Sequence, residues 1–166
     1  MFDFNKYREI SKTIDKLGKK TKIIAISKNH PIYEVEKAIS LGVGHFGENR
    51  VQEAKSKFEN KKNITLHLTG PLQTNKVKQA LELFDVFHTL DREKLLKELV
   101  KYPDKLDKKS FFIQVNIGNE NTKSGIKPEE TKSFLNLCRS QGVKNILGLM
   151  CIPPINENPK KYFKLI

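Results

Sequence analysis

The sequence predicts an α/β protein built on a parallel sheet, with six strands alternating with helices behind an N-terminal helix. Three observations predict it. Short β-branched and aromatic runs alternate with segments whose apolar residues recur at three- and four-residue spacing. The first four strand-and-helix units repeat at intervals of about twenty residues, the pitch of right-handed βαβ crossovers. No low-complexity tract interrupts the alternation.

Residues 2–19 read as an amphipathic helix, because Tyr7, Ile10, Ile14 and Leu17 fall on one stripe. The first strand, residues 22–27, is an apolar run of the kind a strand buried on both faces requires. It ends at Lys28, and Pro31 suits the first position of the helix marked by Val35, Ala38 and Ile39, which Gly42 terminates. Val43 to Phe46 forms the second strand and runs into Gly47-Glu48-Asn49, before a helix marked by Val51, Ala54 and Phe58. Ile64 to Leu68 is the third strand, closed by Thr69-Gly70-Pro71 and followed by a helix with the stripe Val77, Ala80, Leu81 and Phe84. The fourth strand spans Asp85 to Leu90, and Asp91 is placed to cap a helix that buries Leu95, Leu96, Leu99 and Val100. A lysine-rich linker, residues 102–109, leads to the fifth strand, Phe111 to Ile117, and the loop Gly118 to Ile126. Pro128-Glu129-Glu130 opens the next helix, with acids near its positive dipole end, and it continues through Cys138. Strand six is Ile146 to Ile152, closed by Pro153-Pro154, and Tyr162 to Ile166 begins a further helix.

Composition narrows the function. No apolar run approaches the ~20 residues of a membrane span, and no signal-peptide core opens the chain, so a cytoplasmic protein without membrane association is expected. Cys138 and Cys151 read as reduced packing residues. His30, His45, His67 and His88 are scattered without ligand spacing, and no metal site is expected. The net charge of +12 invites a nucleic-acid reading. However, the lysines are spread through nearly every segment, often beside glutamate, with no basic block interleaved with aromatics. A solvated lysine-rich surface accounts for the charge, and no nucleic-acid partner is expected.

Two stretches bear on chemistry. Gly42-Val43-Gly44-His45-Phe46-Gly47 matches the dinucleotide fingerprint in its letters, but it follows a helix and enters a strand, the reverse of the required context. The acidic residue that should follow to hold a ribose is also missing, since no Asp or Glu lies between Glu59 and Glu82. Lys28 is more informative. It leaves the carboxyl end of a strand, where α/β sheets collect ligands. An amine half-sunk among apolar neighbours titrates below its usual value of about 10.4, and the neutral amine condenses with carbonyl compounds as a Schiff base. The plain alternative is a lysine that ends a strand and snorkels to water.

Taken together, Ala25-Ile26-Ser27-Lys28, Phe46 to Glu53, His67 to Lys76, Lys123-Ser124-Gly125 and Gly148-Leu149-Met150 resemble the pyridoxal phosphate homeostasis proteins. These are single-domain relatives of the N-terminal barrel of alanine racemase. The likeness runs from about residue 7 to the end of the chain, with five motifs in one order.

The resemblance implies a (β/α)8 TIM barrel that holds pyridoxal 5′-phosphate as a Schiff base without established turnover. Such a protein keeps vitamin B6 in balance, and its partners would be the cofactor and pyridoxal-phosphate-dependent apoenzymes. Lys28 matches the family's Schiff-base lysine and Asn49 its polar residue beside the cofactor. By the same likeness His67 and Met150 face the ring from strand ends, and Lys123 matches a loop lysine that handles cofactor transiently. Each has a plainer reading: Asn49 as a helix cap, His67 as a core residue, Met150 as filler and Lys123 as a solvated loop lysine. Asn29-His30 departs from the threonine and the basic or polar residue that often follow the family lysine.

Eight-unit barrels typically take about 250 residues, so a single domain over residues 1–166 is expected to hold about six units and to be incomplete at its C-terminus. In the family the remaining part supplies the phosphate cradle and an arginine facing the pyridine nitrogen. These residues alone are therefore expected to hold the cofactor weakly and to leave association-prone sheet edges, with the complete protein a monomer. The competing reading within the superfamily is the barrel of an alanine racemase or an amino-acid decarboxylase. A Schiff-base aldolase fits less well, because its lysine leaves a late strand, whereas strand six ends in Met150-Cys151.

Overall fold

In the computed structural model, which describes residues 2–18, 20–60 and 62–166, six strands alternate with helices as the patterning predicts. The strands are β1 (Ala25–Ile26), β2 (His45–Glu48), β3 (Thr65–Leu68), β4 (Val86–Leu90), β5 (Ser110–Gln114) and β6 (Ile146–Met150). All neighbours pair in parallel and in chain order, β1 to β6. Because every crossover steps to the next strand in the same direction, same-handed connections put the helices on one face. The sheet is the six-unit arc of a (β/α)8 barrel, not the doubly wound sheet a dinucleotide fingerprint requires.

Helix α1 (Phe4–Lys16) is capped by Asp3, whose carboxylate accepts from the Lys6 N–H at 2.9 Å. The helix is shorter than the expected 2–19: Leu17 is its C-cap and Gly18 turns out of it at φ 59°, and Lys19 lies outside the described residues. Helices α2 (Ile32–Ser40), α3 (Val51–Phe58), α4 (Val77–Leu83), α5 (Glu93–Leu99) and α7 (Thr131–Ser140) fall where the apolar stripes place them. Helix α6 (Pro103–Leu106) lies within the stretch read as a linker, where Leu106 drops into the core and proline starts the turn. Helix α8 (Pro159–Phe163) begins earlier than expected, because Asn158 caps it from the Lys160 N–H. Asp91 does not cap α5; Arg92 occupies the cap position, and the buried Asp91 carboxylate instead holds the Arg92 guanidinium at 2.5 Å. No helix among the described residues is long and apolar enough to cross a membrane.

Strand β1 pairs over only two residues, shorter than the run 22–27. It lies at the edge of the sheet, so one side of its backbone has no neighbouring strand among the described residues. Between sheet and helices, Phe46 meets Phe58 of α3 at 5.5 Å between ring centroids. Phe84, Phe87 and Phe111 form a second aromatic row at 6.2 and 5.2 Å. All five rings are buried.

Strand alternation puts the neighbouring positions on the opposite, inner face. There three of the four histidines assemble. The His45 Nδ1 lies 3.0 Å from His67 Nε2, and His67 Nδ1 lies 3.0 Å from His88 Nε2. Phe112 of β5 stacks on His88 at 4.7 Å. Three of the four histidines read as scattered are thus one row, each imidazole contributed by the next strand, while His30 lies apart beside Glu34. Desolvation pushes the His67 imidazole down to about 4, and the neighbouring rings push the same way. Burial lowers His45 and His88 as well.

Two tests follow from this packing. Phe87→Ala removes the middle ring of the aromatic row and is expected to cost roughly 3–5 kcal/mol, read from denaturant unfolding. As pH drops from 6.5 toward about 4, unfolded His67 takes up a proton that the folded form refuses. Its stabilisation is full above that window and is lost on descending through it, by up to about 3 kcal/mol. His67→Gln should remove most of this slope in urea titrations, and an unchanged slope would contradict the assignment.

Candidate functional site

The carboxyl ends of the strands carry the residues singled out from sequence, and the turn after β1 comes first. The Ser27 N–H donates to the Gly47 carbonyl at 3.0 Å, and the His30 N–H closes the turn on the Ser27 carbonyl at 3.1 Å. Lys28 sits in this turn, exposed, whereas the sequence reading expected a half-sunk amine. The physical reason is its place on an edge strand, with chain packed on one side only. Asn29 adopts φ 63°, a left-handed conformation that asparagine tolerates better than most residues.

A buried ion cluster fixes that turn from behind. The Lys57 ammonium donates to the Ser27 carbonyl at 2.7 Å, to Glu48 Oε1 at 3.0 Å and to Glu53 Oε1 at 2.7 Å. Glu53 Oε1 also accepts from the Asn29 N–H at 2.5 Å, and Glu48 Oε1 accepts from the Ser27 hydroxyl at 2.7 Å. Glu48 has no exposed surface and Lys57 only 8%. Burial pulls the Lys57 ammonium toward neutrality, but hydrogen bonds and charge from Glu53 and Glu48 outweigh it and raise its pKa. Burial alone would raise the Glu53 carboxyl; the bonds from Lys57 and the Asn29 amide hold it below its ordinary value.

On the neighbouring strand, the β1–β2 register pairs Ile26 with Gly47. Lys28 and Asn49 therefore each lie two residues beyond a paired position. The Thr69 hydroxyl donates to Asn49 Oδ1 at 2.9 Å and so orients its amide. Gly70 is required here, because a Cβ on it would come within 2.5 Å of the Asn49 carbonyl oxygen.

The loop after β5 is tied down by Asn116. Its Nδ2 donates to the carbonyls of Glu120 at 2.9 Å and Lys123 at 3.2 Å. Gly125, at φ +127°, lets the loop approach the backbone of Val115 and Asn116. Lys123 pairs with Glu120 at 2.5 Å.

Asn49, Lys123 and Met150 line one cleft of about 290 Å³, together with Thr69, Asn116 and Ser124. Lys28 and His67 do not line it. His67 lies two residues before Thr69 on β3, and both of its ring nitrogens are engaged by other histidines. Sequence reasoning missed the Lys57 cluster and the histidine row. A Glu53–Lys57 spacing of four on a helix signals the first, and intervals of 22 and 21 residues between the histidines, one strand-and-helix unit each, signal the second.

The sequence profile described as "Alanine racemase, N-terminal domain" matches residues 5–165. A pyridoxal phosphate homeostasis protein of Aquifex aeolicus is 38% identical over 149 residues, covering 86% of this chain and 65% of its own. The protein of the same name from Buchnera aphidicola (subsp. Schizaphis graminum) is 41% identical over 146 residues, covering 84% of this chain and 62% of its own. This chain thus spans a little under two thirds of the length of these relatives. The structure of PipY from Synechococcus elongatus with pyridoxal phosphate bound superposes with a TM-score of 0.77 at 29% identity, covering 95% of this chain and 75% of that one. The profile match across nearly the whole chain, the curated relatives and the shared parallel arc lead to one assignment: the chain belongs to the alanine racemase N-terminal domain family.

Proposed function

We propose that this chain is the lysine-bearing part of a pyridoxal 5′-phosphate holder, a carrier in vitamin B6 balance with no turnover of its own. The observation that carries the reading is the arrangement at the strand ends. Lys28 and Asn49 each lie two residues beyond the paired Ile26 and Gly47 of adjacent strands, and Asn49 opens into the cleft shared with Lys123 and Met150. The relatives named for pyridoxal phosphate homeostasis and the cofactor-bound PipY support it.

The residues present fit the group. Asn49 has its oxygen engaged by Thr69, which leaves its N–H2 to donate to an oxygen of the ring, and Lys123, ion-paired with Glu120, lines the same cleft. Bound there, the cofactor supplies an electrophilic aldehyde on an electron-withdrawing ring. Lys28, in the turn after the neighbouring strand and outside the lining of this cleft, is the residue that would supply the amine for a Schiff base to that aldehyde. The buried cluster at Lys57 fixes the backbone from which Lys28 projects. A carrier needs reversible capture and no proton shuttle at the substrate carbon. His67, the one histidine expected near the ring, is committed to the inner histidine row. Release to pyridoxal-phosphate-dependent apoenzymes follows as the carrier's purpose.

Borohydride reduction after incubation with pyridoxal 5′-phosphate, followed by peptide mass mapping, tests the reading. The reduced adduct is expected on Lys28 and is expected to disappear in Lys28→Ala, while Lys123→Ala retains it. An adduct that survives Lys28→Ala at undiminished yield would overturn the proposal. Formation of D-alanine from L-alanine by the complete protein would replace the carrier with an enzyme.

A further inference from the structure

A second, larger cleft lies on the other side of Asn49, along the carboxyl ends of β2, β3 and β4. Its volume is about 490 Å³, and Asn49, Arg50, Gln52, Gln73, Lys76 and Arg92 are among the residues that line it. Three cations thus reach one hollow from three separate connections, those after β2, β3 and β4. No carboxylate lines it.

Arg92 is ion-paired with Asp91 and the charge of Arg50 is felt by Glu53, but neither acid is part of the lining. Arg92 is held by two bonds, from Nη1 to Asp91 and from Nη2 to the Leu72 carbonyl at 2.7 Å. Those bonds fix its guanidinium against the wall and leave its other N–H groups to spare. Glu53, the nearest acid to Arg50 on α3, is engaged by Lys57 and the Asn29 amide and is not part of the lining. The first turn of α3 adds to the same hollow: Val51 and Gln52 line it, and Arg50 at the cap position gives no side-chain bond to the helix amides. The side-chain amides of Gln52 and Gln73 complete a donor-rich surface.

We propose that this cleft is a second binding site, distinct from the one lined by Lys123 and Met150, whose ligand is a small molecule with two or more negative charges. Two chemistries supply such a ligand, a phosphoryl compound and a dicarboxylate. The volume admits more than a single inorganic ion. Asn49 borders both clefts, so occupancy of one bears on the orientation of the amide in the other. The proposal rests on the cleft alone and does not require a Schiff base at Lys28.

Calorimetric titration of the purified protein with pyrophosphate, and in parallel with succinate, tests it. One equivalent of pyrophosphate is expected to bind, more weakly as salt rises. Lys76→Met and Arg50→Met are each expected to weaken binding by about tenfold, the effect of losing one charge-assisted contact. Both side chains lie outside the core, and circular dichroism of the variants checks that the fold is retained. Lys144→Met, at the opposite end of the sheet ahead of β6, controls for general charge and is expected to change nothing. Succinate binding with the same dependence on Lys76 and Arg50 assigns the dicarboxylate class, and binding of pyrophosphate alone assigns the phosphoryl class. No saturable binding of either probe, or equal weakening by Lys144→Met, would overturn the proposal.

Discussion

One buried ammonium organises the functional end of this sheet. Lys57 reaches back from α3 to the carbonyl of Ser27 and to the carboxylates of Glu48 and Glu53. An ammonium taken out of water is destabilising by several kcal/mol unless oxygen acceptors replace its hydration, and here three do. The same carboxylates hold the Ser27 hydroxyl and the Asn29 amide. The two residues that flank Lys28 are therefore both bound to the cluster, and Lys28 itself is left free to project. The arrangement is asymmetric: deleting the ammonium would strand Glu48, fully buried, without its countercharge.

From that anchor the rest of the rim follows by register. Parallel pairing sets Asn49 level with the Lys28 turn, Thr69 orients the Asn49 amide, and Gly70 permits the close approach that this contact needs. Two clefts then open on either side of Asn49. One carries Lys123 and Met150, and the other carries Arg50, Lys76 and Arg92. Behind the rim, toward the amino ends of the strands, the inner face is filled by the neutral histidine row and Phe112. Polar and titratable chemistry thus occurs at two depths, and burial decides their states: the histidines deprotonated and interior, the rim cations at the surface.

Much of this was legible in the chain because period and position carry it. Stripes such as Val77, Ala80 and Leu81 can only be one face of a helix, and an apolar run ending in Lys28 places that lysine at a strand end. Asn49, Lys123 and Met150 were named from motifs, and they meet in one cleft because parallel strands bring their carboxyl ends together. What stayed hidden depends on distance between segments. The Glu53–Lys57 spacing of four recurs in exposed pairs such as Lys55–Glu59 and Glu93–Lys97, and only folding shows that Lys57 is buried. His45, His67 and His88 carry no ligand spacing within a segment, yet successive strands stack them side by side. Lys28 emerged exposed because its strand is an edge, a property of the sheet and not of the apolar run. Asp91 looks like a helix cap from its neighbours, but the Arg92 guanidinium competes for its carboxylate.

The central claim is that the Lys57 cluster holds the turn from which Lys28 projects, and it is tested most directly at the Asn29 amide. Native-state hydrogen exchange should find that amide protected in the wild-type protein. In Lys57→Met the protection is expected to collapse at Asn29 while amides of β3 and β4, such as Leu68 and Phe87, remain slow. Unchanged protection at Asn29 in a folded Lys57→Met protein would contradict the account.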